Sequence, residues 1–225
     1  MPLTAAQIIS RACTIAKAPG YLVQAGQYLN MVLDTLQQTY DFDYIRKTQT
    51  INLDGNPSYL LENDHLRTDQ VFYSVNGTKF VLNQIPIEDY NSLFDGPGVA
   101  NYPYSYAIDV STDPNTILFY PPPLVPLAVS VLYFPRKEDI SSPETSSEIP
   151  WFMNQEYLIK KLAALIMLET DDERAPLFDV QSEKLLRNIL SMQDDKGGYA
   201  QTIKLDRRSF RPTDSLRPNK SFPLS

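Results

Sequence analysis

Cysteine, histidine and tryptophan each occur once in these 225 residues, as Cys13, His65 and Trp151. A lone cysteine makes no internal disulfide, which fits folding in a reducing cytoplasm, and on its helical face Cys13 reads as small core filler. A lone histidine leaves serine or cysteine catalysis a single base. His65 sits in the polar turn Glu62-Asn63-Asp64-His65, with no nucleophile near it in sequence. The eight glycines build no phosphate-cradling loop, because Gly96-Pro97-Gly98 is a turn with no lysine after it. No window approaches the roughly 20 apolar residues of a membrane span. Met1 to Ala18 mixes polar with apolar residues, so the sequence predicts a soluble, unsecreted product with no membrane partner. Positive charge is also scarce: 20 Lys and Arg face 27 Asp and Glu, for a net −7. That balance argues against sequence-independent nucleic-acid binding, which needs clustered Lys and Arg.

The positive charge that is present gathers at the C-terminal end. Residues 200–225 hold Lys204, Arg207, Arg208, Arg211, Arg217 and Lys220 against Asp206 and Asp214, six charges less two for a net +4, which leaves −11 on the other 199 residues. Ile203, Leu205, Phe210, Leu216, Phe222 and Leu224 follow neither helical nor strand period, and Pro212, Pro218 and Pro223 remove backbone donors. Such a segment builds no core, yet extended at roughly 3.3 Å per residue it reaches about 85 Å, beyond the width of a small domain. We read it as a partner-binding arm whose contacts are Lys204, Arg207, Arg208, Phe210, Arg211, Arg217, Lys220 and Phe222. A merely solvating tail has little use for two phenylalanines and three leucines, although a disordered tail stands as the alternative.

The body, 43% hydrophobic overall, is large enough for one good core or two small ones. Thr4 with Gln7 forms a capping signal ahead of Ile8, Ile9, Ala12, Ile15 and Ala16, until Pro19-Gly20 intervenes. A second helix is predicted over about 22–40, with Ala25, Tyr28, Leu29, Val32, Leu33, Leu36 and Tyr40 on one stripe. From Phe42 the period becomes two. Strands are expected at 44–53, 70–75, 79–82, 104–110, 116–120 and 125–134, with Asn76-Gly77 the strongest hairpin signal. Alternation in Tyr104, Tyr106, Ile108 and Val110 predicts one packed and one wet face. Helical period returns with Pro150 in a first-turn position and Trp151, Phe152, Leu158, Ile159, Leu162, Ala163, Leu165 and Ile166 behind it. This third helix is apolar on most of its circumference and is expected to be central. A fourth follows over about 175–193, stopped by Gly197-Gly198. The fold class is α+β: a bundle of about four helices with a β-rich insertion between the second and third. The division is 1–41 as an N-terminal helical pair, 42–140 as the insertion, 141–199 as a helical pair packing on 1–41, and 200–225 as an extended basic arm.

Chemistry finds little purchase. Asp64, His65 and Asp69 lack the alternating spacing and glycine turn of an oxygen-ligand loop, so a solvated turn is expected and no metal or cofactor. Glu88-Asp89 reads as the acidic first turn of a short helix; adjacent carboxylates diverge by about 100° and do not flank one bond. Asp171-Asp172-Glu173 reads as a connection or cap, and Pro121-Pro122-Pro123 as a stiff spacer. Among fourteen tyrosines, Tyr102, Tyr104 and Tyr106 cluster on the insertion, where they are candidates for a partner or subunit interface ahead of a sugar-stacking platform. No catalytic residue is assigned.

Several stretches resemble one family: Tyr59-Leu60-Leu61 followed by Asp64, Ile85-Pro86-Ile87-Glu88-Asp89-Tyr90 before a short helix, Tyr102-Pro103-Tyr104-Ser105-Tyr106, Ile117-Leu118-Phe119-Tyr120-Pro121-Pro122-Pro123, Val131-Leu132-Tyr133-Phe134 and Glu148-Ile149-Pro150-Trp151-Phe152. With the helix, insert, helix and arm order, they resemble the head-to-tail adaptors of tailed bacteriophages, also called head completion or portal-connector proteins. The large insert and basic arm look more like those of short-tailed phages. The resemblance implies a non-enzymatic virion protein at the head-tail interface, forming a ring, typically of twelve copies, under the portal protein and presenting a platform to tail nozzle or fibre proteins. It also implies C-terminal arms that climb onto the portal and order on binding. An acidic body suits a DNA ejection conduit through which the duplex passes without specific binding, since a lumen attracting phosphate would stall it. The competing class, motivated by the tyrosines and Glu88, is a virion-associated protein that binds or cleaves peptidoglycan.

Overall fold

The computed structural model describes residues 1–94 and 101–196. The arm, Gly96-Pro97-Gly98 and Gly197-Gly198 lie outside the described residues. In chain order the elements are α1 (Ala5–Ala16), α2 (Leu22–Thr39), β1 (Lys47–Leu53), β2 (Ser58–Leu60), β3 (His65–Val75), β4 (Thr78–Val81), β5 (Asn83–Gln84), α3 (Ile87–Phe94), β6 (Ser105–Asp109), β7 (Thr116–Tyr120), β8 (Leu127–Pro135), α4 (Gln155–Glu169) and α5 (Ala175–Lys196). The class is α+β, as the sequence predicts.

The capping signal acts as read. Thr4 Oγ1 accepts from the Gln7 amide at 3.3 Å and Gln7 Oε1 from the Thr4 amide at 3.1 Å, which satisfies two donors that open α1. The buried face of α1 (Ala5, Ile8, Ile9, Ala12, Cys13 and Ala16) joins Leu29, Val32, Leu33 and Leu36 of α2 and Leu158, Leu162 and Ile166 of α4 in one core, with Ala175 and Leu186 of α5. α4 packs on α1, α2 and α5 together, so the expected centrality of that helix holds. Its start does not. The helix begins at Gln155 and not at Pro150, because Asn154 Oδ1 accepts from the Tyr157 amide at 2.8 Å and caps it there. Trp151 and Phe152 precede the helix and close the core through Phe42, whose ring lies 5.8 and 5.4 Å from theirs.

Eight strands form two four-stranded sheets, ordered β1-β8-β3-β4 and β2-β7-β6-β5. All pairs are antiparallel except β5 with β6. A second core lies between them, with Ile51, Leu53, Val71, Tyr73, Val129 and Val131 from the first sheet and Tyr106, Ile117 and Phe119 from the second. The Asn76-Gly77 hairpin forms with φ of 51° and 79°, the two positive values a type I′ turn demands, and Val75 pairs with Thr78 across it. Beyond the predicted strands the chain adds β2 and β5, each too short to show a period.

Two expectations fail. β6 has no wet face: Tyr106 faces the core between the sheets, while Ala107 is fully buried on the other side beside Tyr120, under Tyr90 of α3. A short helix laid on the second face removes the solvent that simple alternation assumes. β3 begins at His65 and not at Gln70, so four of its first five residues, all but Leu66, are polar. Register shifts between His65 and Arg67 and between Thr68 and Gln70 bend this half.

The bent half carries Arg67, which joins sheet to helices. Its guanidinium donates to the carbonyls of Gln37 at 3.2 Å, Gln38 at 2.7 Å and Tyr40 at 3.3 Å, and to the Asp41 carboxylate. These are the carbonyls that the end of α2 leaves without intrahelical donors, and a cation there also meets the negative end of the helix dipole. Arg67→Ala is expected to lower unfolding free energy by about 2 kcal/mol, with Arg67→Lys recovering only part of it. Urea unfolding of the three proteins measures this, and an unchanged midpoint for the alanine variant would remove the clamp.

Candidate functional site

The tyrosine trio is split by the fold. Tyr106 is 3% exposed in the core between the sheets, its pKa raised by burial to about 12. Its ring is therefore withdrawn from any partner surface. Tyr102 and Tyr104 stay accessible, 38% and 55% exposed, in the approach to β6. Tyr102 stacks on Tyr73 at 5.7 Å, and Tyr73 stacks on Phe80 at 5.3 Å, so three rings continue onto the exposed residues Phe80 and Val81 of edge strand β4. Tyr104 instead meets Tyr120 edge-on at 5.6 Å, and Tyr120 in turn meets Tyr90 of α3 at 6.3 Å. Lys79 lies 3.8 Å from the Phe72 ring centroid. That cation and Phe72 share the face of the hairpin opposite Tyr73 and Phe80, whereas the half-covered rings Tyr102, Tyr104 and Phe80, backed by packed rings, form a surface suited to protein contact.

The residues weighed for chemistry do not converge. His65 is 8% exposed. The Asn115 side-chain amide lies 3.2 Å from His65 Nδ1 and 3.3 Å from the His65 carbonyl, so Nδ1 accepts, and the ring proton sits on Nε2, 2.8 Å from Thr68 Oγ1. Desolvation lowers the His65 pKa, against smaller opposing contributions from its own backbone and from Asp64. Asp64 bonds to Lys47 and to the Tyr133 hydroxyl at 2.8 Å. Burial pushes its pKa up, and the bonds from Lys47 and Tyr133 overcome this to leave it lowered. Asp69 pairs with Arg46 at 2.6 Å. Each member of the trio is thus a separate fastener of β3. No group of three or more His, Cys, Asp or Glu placed to hold a metal occurs among the described residues.

Other acidic runs take local roles. Glu88 and Asp89 are exposed in the first turn of α3. Asp172 receives three side-chain bonds and a backbone bond from Arg174, which hold its pKa at about 2, and its carbonyl accepts from Ala175 at the start of α5. One surface feature was not legible in sequence: a groove of about 490 Å³ lined by Tyr44, Phe152, Met153, Ile189 and Met192. Its walls come from three distant segments, and the only local sign is that Met153 and Met192, 69% and 64% exposed, fall off the buried stripes. No described helix is long and apolar enough to cross a membrane.

A family model described as SU10 adaptor protein matches residues 3–203. The chain belongs to the SU10 adaptor protein family. It is therefore a phage adaptor, a structural component of a virion, as the sequence resemblance implies. No curated protein matches the chain. The family match ends one residue before Lys204, so every basic residue and both phenylalanines of the arm lie outside the matched stretch as well as outside the described residues. Placement of Lys204, Arg207, Arg208, Phe210, Arg211, Arg217, Lys220 and Phe222 is accordingly carried by the sequence alone.

The His65 site gives a pH signature. A folded-state pKa below the ordinary value near 6.5 means that the native state prefers the neutral ring, so its contribution is full above that pH and is lost as pH falls below it. Stability of the wild type should therefore drop between pH 7 and pH 5, above the range where the carboxylates titrate, and His65→Gln should flatten that drop. Equal losses of unfolding free energy between the two pH values in wild type and His65→Gln, measured by urea unfolding, would show that the ring is not held neutral.

Proposed function

We propose that this adaptor forms a ring between the portal protein and the tail, surrounds the DNA ejection channel, and docks on the portal through residues 200–225. The family supplies the coarse role; the observation that carries the finer one is the division of charge, −11 on 199 residues against +4 on the last 26. A basic segment with apolar anchors, carried by an acidic body, is attracted to an acidic apolar groove on another molecule and to its own kind only through the body. We further propose the functional division into 1–41, 42–140, 141–199 and 200–225. In it the two helical stretches share the core built on α4. The exposed rings Tyr102 and Tyr104, with Phe80, are offered to the tail side. The peptidoglycan reading has less support, because Glu88 stands on an open helix turn and Tyr106 is buried.

A chain ending at residue 199 is expected to fold with an unchanged melting temperature and to bind portal at least about tenfold more weakly, since it loses all six cations and both phenylalanines of the arm. Mass measurement of adaptor mixed with portal checks this; wild-type stoichiometry from the truncated chain would end the arm proposal. In the full chain, replacing Arg207, Arg208 and Arg211 by alanine should weaken docking and flatten its dependence on salt concentration. An unaltered salt slope would assign the arm an apolar role alone.

A further inference from the structure

The groove of about 490 Å³ beside the entry to α4 has one wall that belongs to the end of α5. Ile189, Met192 and Gln193, from the last two turns of that helix, line it together with Tyr44, Phe152 and Met153. Met153 and Met192 stand largely in water, one from each side of the chain break between these segments. Thioether side chains adapt their shape to a neighbour and make favourable contacts with aromatic rings, so two of them on one groove suit an aromatic occupant.

Most of the amide and carboxylate side chains on its walls already serve the backbone. Asn154 Oδ1 accepts from the Tyr157 amide, Gln155 exchanges two bonds with the Leu3 backbone, and Gln193 donates to the Asp41 carbonyl. Asp43 differs: it meets Arg46 at 3.7 Å, while Arg46 bonds Asp69 at 2.6 Å. Its carboxylate is the acceptor with capacity to spare. An occupant that matches this lining is an apolar ring carrying one hydrogen-bond donor, which describes a phenol.

The chain itself supplies one at the lip of the groove. α5 ends at Lys196, about one turn past Met192 and Gln193, and the sequence continues as Gly197-Gly198-Tyr199-Ala200-Gln201-Thr202-Ile203, seven residues without charge, before the first arm cation, Lys204. The family match also runs through these seven and stops ahead of Lys204, so the stretch next to the helix is set apart from the basic part of the arm in charge and in family match. With Lys196 as the last helical residue, Gly197 takes the C-cap and Gly198 the position after it. There a left-handed backbone, open to glycine, turns the chain back, and the next residue packs on the helix three or four residues before the cap. That next residue is Tyr199, and four residues before the cap is Gln193, on the groove wall.

We propose that Tyr199 of the same chain occupies this groove, its ring against Met153 and Met192 and its hydroxyl donating to Asp43. Residues 197–199 lie outside the described residues; the lining, the short reach and the glycine pair name them as the occupant. The seat fixes the root of residues 200–225. Gln193 ties this end of α5 to Asp41, which pairs with Arg67, so the arm starts from the joint between helices and sheets instead of swivelling on two glycines. A rooted arm has less freedom to lose when it binds, whatever its partner.

The test measures how fast a maleimide labels the full chain carrying Met153→Cys or, separately, Met192→Cys; Cys13, 2% exposed, gives a slow background. Adding Tyr199→Ala should speed labelling at both positions by about tenfold, whereas Tyr199→Phe, which keeps the ring, should keep most of the protection. Leu168→Cys, 70% exposed at the other end of α4, should label at one rate whichever residue stands at 199. Equal rates at 153 and 192 with tyrosine and with alanine would overturn the seat. So would acceleration at 168 as well, which would mean general loosening, or protection that fades on dilution, which would put a second copy's tyrosine in the groove. A chain ending at residue 199 keeps the tyrosine, so its labelling rate judges the seat and its portal binding judges the arm, each independently of the other.

Discussion

A helix that ends against a sheet must find donors for its last carbonyls, and in this protein that requirement couples the two halves of the molecule. The end of α2 is met by Arg67 on carbonyls of Gln37, Gln38 and Tyr40. Arg67 reaches it because two register shifts in β3 turn that strand out of regular pairing with β8. Gln37 adds a second tie, its Oε1 accepting from the Lys137 amide at 2.8 Å where the chain leaves the sheet. Phe134, the last aromatic of β8, sits in the helical core with the Arg67 guanidinium 5.9 Å above its ring, so polar clamp and apolar contact share one place. A core of helices and a core of sheets are thereby held at one hinge of fixed geometry, and surfaces on either side keep a defined relation to each other.

What sequence shows well is whatever depends on neighbours within a few residues. The Thr4 and Gln7 cap, the apolar stripe of α2, the Asn76-Gly77 turn and β7 at Thr116–Tyr120 are local, and each was legible. The adaptor family was legible for a related reason, since the order of elements and several strand entries can be read from local pattern. The losses are long-range. The segment His65-Leu66-Arg67-Thr68-Asp69 has no apolar alternation because its side chains are spent on partners up to 50 residues away, among them Asn115 for His65 and Gln38 for Arg67. Read alone it is a polar turn; in the fold it is the strand that fastens everything. Ala107 misleads in the same way, being a small residue on a face that only α3 makes dry. Tyr106 was grouped with two exposed tyrosines because adjacency in sequence says nothing about which side of a pleat is covered.

Charge follows a different logic from packing. The fold uses its carboxylates in partly solvated pairs, some local, such as Asp43 with Arg46, Asp172 with Arg174 and Glu156 with Lys160, and others longer-range, such as Asp69 with Arg46. Pairs of this exposure contribute little each to stability. The excess acid therefore carries little structural duty, and the negative body it makes repels polyanions and attracts basic segments. That is why removing arm cations is expected to change binding and not folding, whereas removing Arg67 changes folding first.

The same separation explains where exposed apolar residues occur. Leu177, Val180, Val23 and Met31 are exposed and are not members of the three hydrophobic clusters. Leaving four such side chains in water on two helix flanks costs solubility in the free monomer and gains nothing within it. On the α2 flank these side chains are interrupted by charges of both signs, Asp34, Glu138 and Asp139 with Arg136 and Lys137, which limits any continuous apolar patch.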